Sequence, residues 1–409
     1  MLNVVVLNGG RGASTLIPAL LDRQGLHVSS VVNAYDDGKS TGDIRSFFGM
    51  LGPSDIRKVQ QLMLPKDDPH YEAHLALFTH RYLISCQRDA VLRDLHRFAS
   101  GTVNELAGIS LCSPSVLASL RLFIRRFLES LQLIEQVQGR IFNFADCSLM
   151  NCVYAGAFVT FDRNLEDTTK AIDRLFRLRG IVLPTSNDNL YLVALRENGE
   201  MLYSESEIVE LRSNVRIKRV YLLDHLLDRE RFEQLSTSDK SSYLQQHHCP
   251  VSVSPGVTLA LKQADIIVYS AGTQHSSLYP TYMANGLAST IADNRSAYKV
   301  FITNIGADYE TPSYNASDYL RGAYQYLLLS ESRHHNIEDL VNAVLINQSQ
   351  RKADETYVGY DQEGFKDLSV QQFIGDYESI ESPGRHDGSK LIDTILRSYE
   401  EALIVGAET

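Results

Sequence analysis

The chain has 409 residues, 44% of them hydrophobic, and its 39 Lys and Arg against 50 Asp and Glu leave a net charge of −11. That length can bury one large core or two smaller ones, while the acidic balance argues against general affinity for nucleic acid or anionic membrane, which needs a basic face. Cys86, Cys112, Cys147, Cys152 and Cys249 include no C-x-x-C pair and read as reduced thiols.

The chain opens in a strand and not in the basic-then-apolar leader of a secretory signal. No run approaches the ~20 apolar residues of a membrane span, so a soluble, cytoplasmic protein is expected. A strand over 3–8, a helix over about 14–24 and a strand over 28–33 make a βαβ unit. A Gly/Ser/Asp-rich loop leads to a helix from Ser54 to about Leu64. From Tyr71 to Gln138 the pattern is almost wholly helical, with Leu117, Leu120, Phe123, Ile124, Phe127, Leu128, Leu131 and Ile134 at core spacing behind a start at Ser113 to Ser115. Arg121, Arg125 and Arg126 lie between them, either as the solvated face or with one reaching an anion.

After Asn143 the α/β alternation returns, with a helix over Leu165–Leu178 and short strands near 181–183, 190–196 and 216–223. Helix 257–263, the apolar strand 265–270, a polar loop, a helix from about Tyr279 and the strand 299–305 form a second unit, and such short apolar runs fit strands of a parallel sheet covered on both faces. The stretch 349–369 is polar and poorly periodic and reads as a loop. A last helix covers about Ser389 to Leu403. The expectation is a single α/β domain over 1–409, Rossmann-like with a mostly parallel sheet flanked by helices and a helical insertion at about 70–140.

Gly9, Gly10, Gly12 and Ser14 follow the first strand and open a helix, leaving uncovered N–H groups at a helix N-terminus where an anion is favoured. Thr15 stands where a dinucleotide fingerprint has its third small residue, and no lysine precedes Ser14 as a P-loop requires. A tight turn without a ligand is the alternative. Asn33 ends the second strand, and Asp36 and Asp37 follow on the sheet edge where α/β proteins bind ligands. Paired carboxylates beside a phosphate call for a cation, and Gly38, Ser40, Thr41 and Arg45 suit phosphate oxygens; solvated carboxylates in a turn are the alternative. Either Ser54 or Asp55 caps the next helix, or Asp55 adds its carboxylate to one Mg²⁺ with Asp36 and Asp37, leaving Arg57 and Lys58 to face phosphate. The loop Ser270 to Pro280 offers a second cradle through Gly272, Thr273, Ser276 and Ser277. His275 is its one group able to titrate near neutrality, though such a histidine more often only hydrogen-bonds. His247, His248 and Cys249 diverge along the chain and make no metal site.

These motifs resemble the CofD/YvcK-like family. Gly9 to Ser14 is similar to its GGxGxS motif, Tyr35 to Arg45 aligns without a gap with A-D-D-G-G-S-S-G-R-L-R, Pro53 to Lys58 falls on P-G-D-I-R-N, and Ser270 to Pro280 aligns without a gap with G-P-G-S-L-Y-T-S-x-x-P. Lys39 stands for a glycine, Asp43 for an arginine, Ser54 for a glycine and Lys58 for an asparagine. Weaker matches bring in Asn151 and Asn304 as ligand contacts and extend through Glu310 to His386 and Asp387. The resemblance implies a Rossmann-like fold and one of two functions. One branch transfers a phospholactate-type group from a guanosine-diphospho carrier to a deazaflavin hydroxyl with Mg²⁺, releasing GMP. The other binds nucleotide sugars such as UDP-N-acetylglucosamine and regulates carbon metabolism and envelope growth. The expectation is therefore a binder of a nucleotide-diphosphate-linked small molecule with Mg²⁺. If it is an enzyme it transfers a phospho-linked group, with Asp37 as base and Asp55 beside it; otherwise it is a regulator with a protein partner. Homo-oligomerisation fits either, and an NAD(P) oxidoreductase is a third reading that rests on the βαβ start alone.

Overall fold

The computed structural model describes residues 1–10, 12–349 and 356–407. Seven parallel strands lie in the spatial order Gln371–Gly375, Ala343–Asn347, Tyr298–Ile302, Ile266–Tyr269, Leu2–Asn8, Leu26–Val32 and Ile181–Pro184, flanked by helices in a Rossmann-like α/β fold. The centre of the sheet is almost purely apolar. Val4, Val5, Val6 and Leu7 are fully buried between Val28 to Val32 and Ile266 to Tyr269, in a register that sets Val4 beside both Val28 and Ile266. From the first strand the chain builds outward on one side and then returns to build on the other. The strand order therefore reverses at Leu2–Asn8, and a crevice opens at the carboxyl ends of these strands.

The insertion contains helices Tyr71–Thr79, Arg88–Ala99 and Pro114–Gln138, but the helical expectation fails between the last two, where Glu105–Leu106 and Ile109–Ser110 pair as a short hairpin. Helix Pro114–Gln138 packs on a helix not anticipated from the sequence, Leu149–Thr160. Gly156 permits their close approach, since a Cβ there would lie 3.0 Å from the Phe127 amide and collide with the Phe123 carbonyl. Arg121 and Arg125 donate to the carbonyls of Val103 and Ala99, so they tie the insertion together rather than reach an anion.

Two further differences bear on the crevice. Lys39–Phe48 is a helix where a loop was expected, ended by Gly49 at φ 60° and driven by burial of Ile44, Phe47 and Phe48. The strands Tyr191–Arg196 and Ile217–Leu223 join Met201–Leu202 in a separate antiparallel sheet with its own small core around Val193, Tyr221 and Phe232. Within the polar stretch expected as a loop, 350–355 lies outside the described residues, and Gln362–Phe365 forms one short helical turn over buried Phe365. All five cysteines are free, and among the described residues no helix is long and apolar enough to cross a membrane.

Candidate functional site

Three adjacent strands, Leu2–Asn8, Leu26–Val32 and Ile266–Tyr269, deliver their loops to one place. The glycines of the first loop are there because neighbours leave no room for side chains. A Cβ on Gly9 would lie 2.6 Å from the Ser277 Cβ, one on Gly10 would lie 2.9 Å from the Asp55 Cα, and one on Gly12 would lie 3.2 Å from the Gly272 Cα. The turn thus touches both partner motifs at once. Asn33 adds a tie from the second strand, since its Nδ2 donates to the carbonyls of Ser276, at 3.5 Å, and Ser277.

The second loop is held from behind. Asn304 brackets Gly272, accepting from its N–H at 2.9 Å and donating to its carbonyl at 3.1 Å. Glu310, 2% exposed, takes the N–H groups of His275 and Ser276 at 2.8 and 2.9 Å on one oxygen and meets the Ser276 hydroxyl at 2.5 Å with the other. Burial, then the charge of nearby Asp308, pushes the Glu310 carboxyl up to about 8. Thr273 donates to the Ser277 hydroxyl at 2.8 Å. His275 is buried and packs edge-on against Tyr279 at 4.9 Å; burial, then the charge of Arg196, brings it down to about 3, so it is a neutral core group near pH 7.

The aspartates separate. Asp36 accepts from the Gly38 N–H at 2.9 Å, and burial followed by the charge of Asp55 raises its carboxyl above the ordinary range. Asp55 pairs with Lys58 at 2.7 Å; it does not cap its helix, whose cap is Pro53 with no side-chain hydrogen bond. Asp37 points elsewhere, accepting from the N–H groups of Ser206 at 3.0 Å and Glu205 at 3.3 Å. Engaged by those amides, Asp37 does not line the hollow that Asp36 and Asp55 share, so the expected trio of Asp36, Asp37 and Asp55 around one cation is not formed. Among the described residues no group of three or more His, Cys, Asp or Glu side chains is arranged to hold a metal ion. Arg45 is also spent elsewhere, donating to the carbonyls of Tyr35 at 2.7 Å and Leu190 at 2.6 Å as a clamp behind the site. Ser40 and Asn151 form a buried pair at 3.4 Å, likewise behind it.

Two adjoining hollows result. The larger, about 500 Å³, is lined by Gly10, Gly12, Ser14, Lys58, Gly272, Thr273, Asn304, Asp308, Arg385 and His386 among others. The smaller, about 300 Å³, takes in Asp36, Gly38, Thr41, Asp55, Arg57, Lys58, Arg81, Glu205, Thr273, Ser276 and Ser277. Lys58 and Thr273 belong to both and so stand at the wall between them. Arg57 donates to the Phe78 carbonyl at 2.6 Å while its Nε is buried without a hydrogen-bond partner.

A family model described as 2-phospho-L-lactate transferase CofD matches residues 4–377. The chain belongs to the CofD family. Curated relatives include the gluconeogenesis factors of Listeria monocytogenes, 24% identical over 96% of this chain and 94% of that protein, and of Halalkalibacterium halodurans, 26% identical over 96% and 95%. A crystal structure of a Bacillus halodurans protein aligns at TM-score 0.65 with 22% identity, covering 96% of this chain and 99% of that one, which supports the fold. Membership of the CofD family removes the ground for the oxidoreductase reading, which had only the opening βαβ unit behind it.

Several lining residues were not anticipated as site residues. Glu205 and Ser206 lie in a stretch with no motif, and no spacing signal links them to Asp37. Asp308, Arg385 and His386 sit on loops far along the chain, and Glu310 and His386 were noted only as weak motif matches.

Proposed function

We propose that this member of the CofD family binds a nucleoside-diphosphate-linked small molecule across the two hollows, with the nucleoside in the larger one and the attached group in the smaller. The observation that carries this reading is the shared wall: Lys58 and Thr273 border both hollows, directly beside the glycine turn and the start of helix Ala13–Leu21. A diphosphate at that wall meets backbone N–H donors, hydroxyls and one ammonium, the donor set that anions favour.

Mg²⁺ suits the same wall. It is commonly held by one or two carboxylates, with water and substrate phosphates completing its shell, and Asp36 and Asp55 supply two carboxylates close enough for the charge of one to raise the other. These two residues would hold the ion, which would offset phosphate charge there. Because, among the described residues, no group of three such side chains is arranged to hold an ion, metal and ligand are expected to bind together.

Binding without turnover is the favoured form. Asp37, the candidate base, already accepts two backbone N–H groups, and gluconeogenesis factors are named among the relatives. The reading makes the chain a cytoplasmic ligand sensor whose occupancy is presented to a partner protein. Titration calorimetry with UDP, GDP and UDP-N-acetylglucosamine, each with Mg²⁺ or EDTA, tests it, with chromatography for released UMP or GMP. Saturable, Mg²⁺-enhanced binding without nucleotide release is expected. Release would establish a transferase, and no binding of any of the three would end the proposal.

A further inference from the structure

Arg57 carries a buried charge with which no acid of the described residues pairs. It is 8% exposed and borders the smaller hollow but not the larger. Its Nη1 donates to the Phe78 carbonyl at 2.6 Å. Its Nε is buried without a partner, and among the described residues its guanidinium forms no ion pair. Burial, and after it the charge of Arg81, weigh against the charged form, while Asp36 and Asp55 favour it only from beyond ion-pair reach. A charge taken out of water is costly unless an opposite charge or hydrogen bonds meet it, so this side of the hollow is short of an anion.

Arg81 borders the same hollow from the helical insertion. Its main chain bridges to Ser148, and its Nε and Nη2 fork onto Asp146 at 2.9 and 3.2 Å, which leaves Nη1 without a hydrogen bond among the described residues. Asp146 does not line the hollow, so it fixes Arg81 from outside. The acids that do line it are placed otherwise. Asp55 pairs with Lys58 at 2.7 Å, Asp36 accepts from the Gly38 N–H at 2.9 Å, and Glu205 and Glu210 arrive on a separate helix. An acidic guest is thereby drawn toward the arginines and turned away from that helix.

We propose that Arg57 and Arg81 form a subsite for a carboxylate carried by the group attached to the diphosphate, so that the preferred ligand is a nucleotide-linked sugar acid and not a neutral sugar. The hollow, about 300 Å³, has room for a hexose. The helical insertion then takes part in recognition, because it supplies both Arg81 and the Phe78 carbonyl that orients Arg57. This assignment rests on the reading that the ligand is a nucleoside-diphosphate conjugate, since a diphosphate at Lys58 and Thr273 is what would bring the attached group against the two arginines.

Two pairs of probes, each differing in one group, test it on the full chain with Mg²⁺ by titration calorimetry: UDP-glucose against UDP-glucuronate, and GDP-mannose against GDP-mannuronate. In the pair whose base the chain accepts, the acid should bind about tenfold or more tighter than the neutral sugar, the gain expected of charge-assisted hydrogen bonds. Arg81→Met and Arg57→Met should each cut that ratio to about threefold or less. An acid that binds no tighter than its neutral counterpart overturns the subsite and leaves the ligand class standing. A preference that persists undiminished in Arg81→Met also overturns it, because the carboxylate is then held elsewhere. No binding of any of the four probes overturns the underlying reading and this one with it. Should Arg57→Met fail to fold, Arg81→Met, whose side chain is already 37% exposed, decides alone.

Discussion

Replacing Glu310 separates its shape from its charge. Its carboxyl joins the loop Asn304–Thr311 to the second cradle through the His275 and Ser276 N–H groups and the Ser276 hydroxyl. Glu310→Ala strands three buried polar groups at about 1–3 kcal/mol each before relaxation, and a total loss near 3–5 kcal/mol is expected, in the range for breaking a buried network. Glu310→Gln keeps an oxygen for both amides and an NH₂ to donate to the hydroxyl, so its cost at pH 6 should stay below about 1 kcal/mol. The pH dependence follows from the raised carboxyl. The folded chain holds the proton up to about 8 and the unfolded chain releases it near 4.5, so the stability Glu310 provides is full below 4.5 and is lost as pH rises toward 8. Between pH 6 and pH 8 the parent should lose on the order of 1–3 kcal/mol relative to Glu310→Gln. Urea unfolding of the parent and both variants at pH 6 and 8.5 measures this. If Gln is as damaging as Ala at pH 6, or if the parent gains on Gln as pH rises, the neutral bridge is wrong.

Gly10→Ala should weaken binding of UDP-N-acetylglucosamine by an order of magnitude or more in calorimetry and lower stability by about 1–3 kcal/mol, the usual cost of overpacking, because the new Cβ would sit 2.9 Å from the Asp55 Cα; binding at the parent affinity would refute the contact. His275→Phe should flatten the acid limb of the stability curve. With the buried imidazole lowered to about 3 from 6.5, its share of stability is whole above 6.5 and drains as pH falls toward 3. The parent should therefore lose up to ~3 kcal/mol more than the variant between pH 7 and pH 4.5 in urea unfolding, and parallel curves would show that His275 does not titrate with unfolding.

The features visible in the sequence were those whose cause is local. Val4 to Leu7 and Ile266 to Tyr269 read as central strands because both faces are covered and no polar residue interrupts them. Ala343 to Ile346 is as apolar, yet a run that short carries no helix-or-strand distinction of its own, and its pairing with Tyr298–Ile302 and Gln371–Gly375 decides it. Helix Lys39–Phe48 was hidden by Ser40, Thr41 and Gly42, poor helix formers overridden by the burial of Ile44, Phe47 and Phe48. In the site, the structure brings together the glycine turn and the loop Ser270 to Pro280, both of which stood out through composition. The directions of the carboxylates did not: Asp37 finds its partners 168 and 169 residues on, and Glu310 lies 34 residues beyond Ser276. No periodicity encodes such distances.

Lys58 offers a way to ask how much charge of the proposed diphosphate the chain itself can balance. The family motif has asparagine at this place, whereas here an ammonium reaches Asp55 at 2.7 Å and borders both hollows. A lysine between a carboxylate and a phosphate serves part of the purpose of a divalent cation, and it leaves Asp36 and Asp55 less repelled when no metal is present. Lys58→Asn removes that charge while keeping a polar side chain, and with about a third of the lysine exposed, the lost ion pair should cost under about 1 kcal/mol of stability. Affinity for UDP-N-acetylglucosamine in EDTA should then fall at least tenfold, while in Mg²⁺ the loss should shrink to a few-fold, because the ion restores the missing positive charge. An equal loss in both buffers would mean that Lys58 contacts the ligand without exchanging roles with a metal, and no loss in either would place the diphosphate away from this wall.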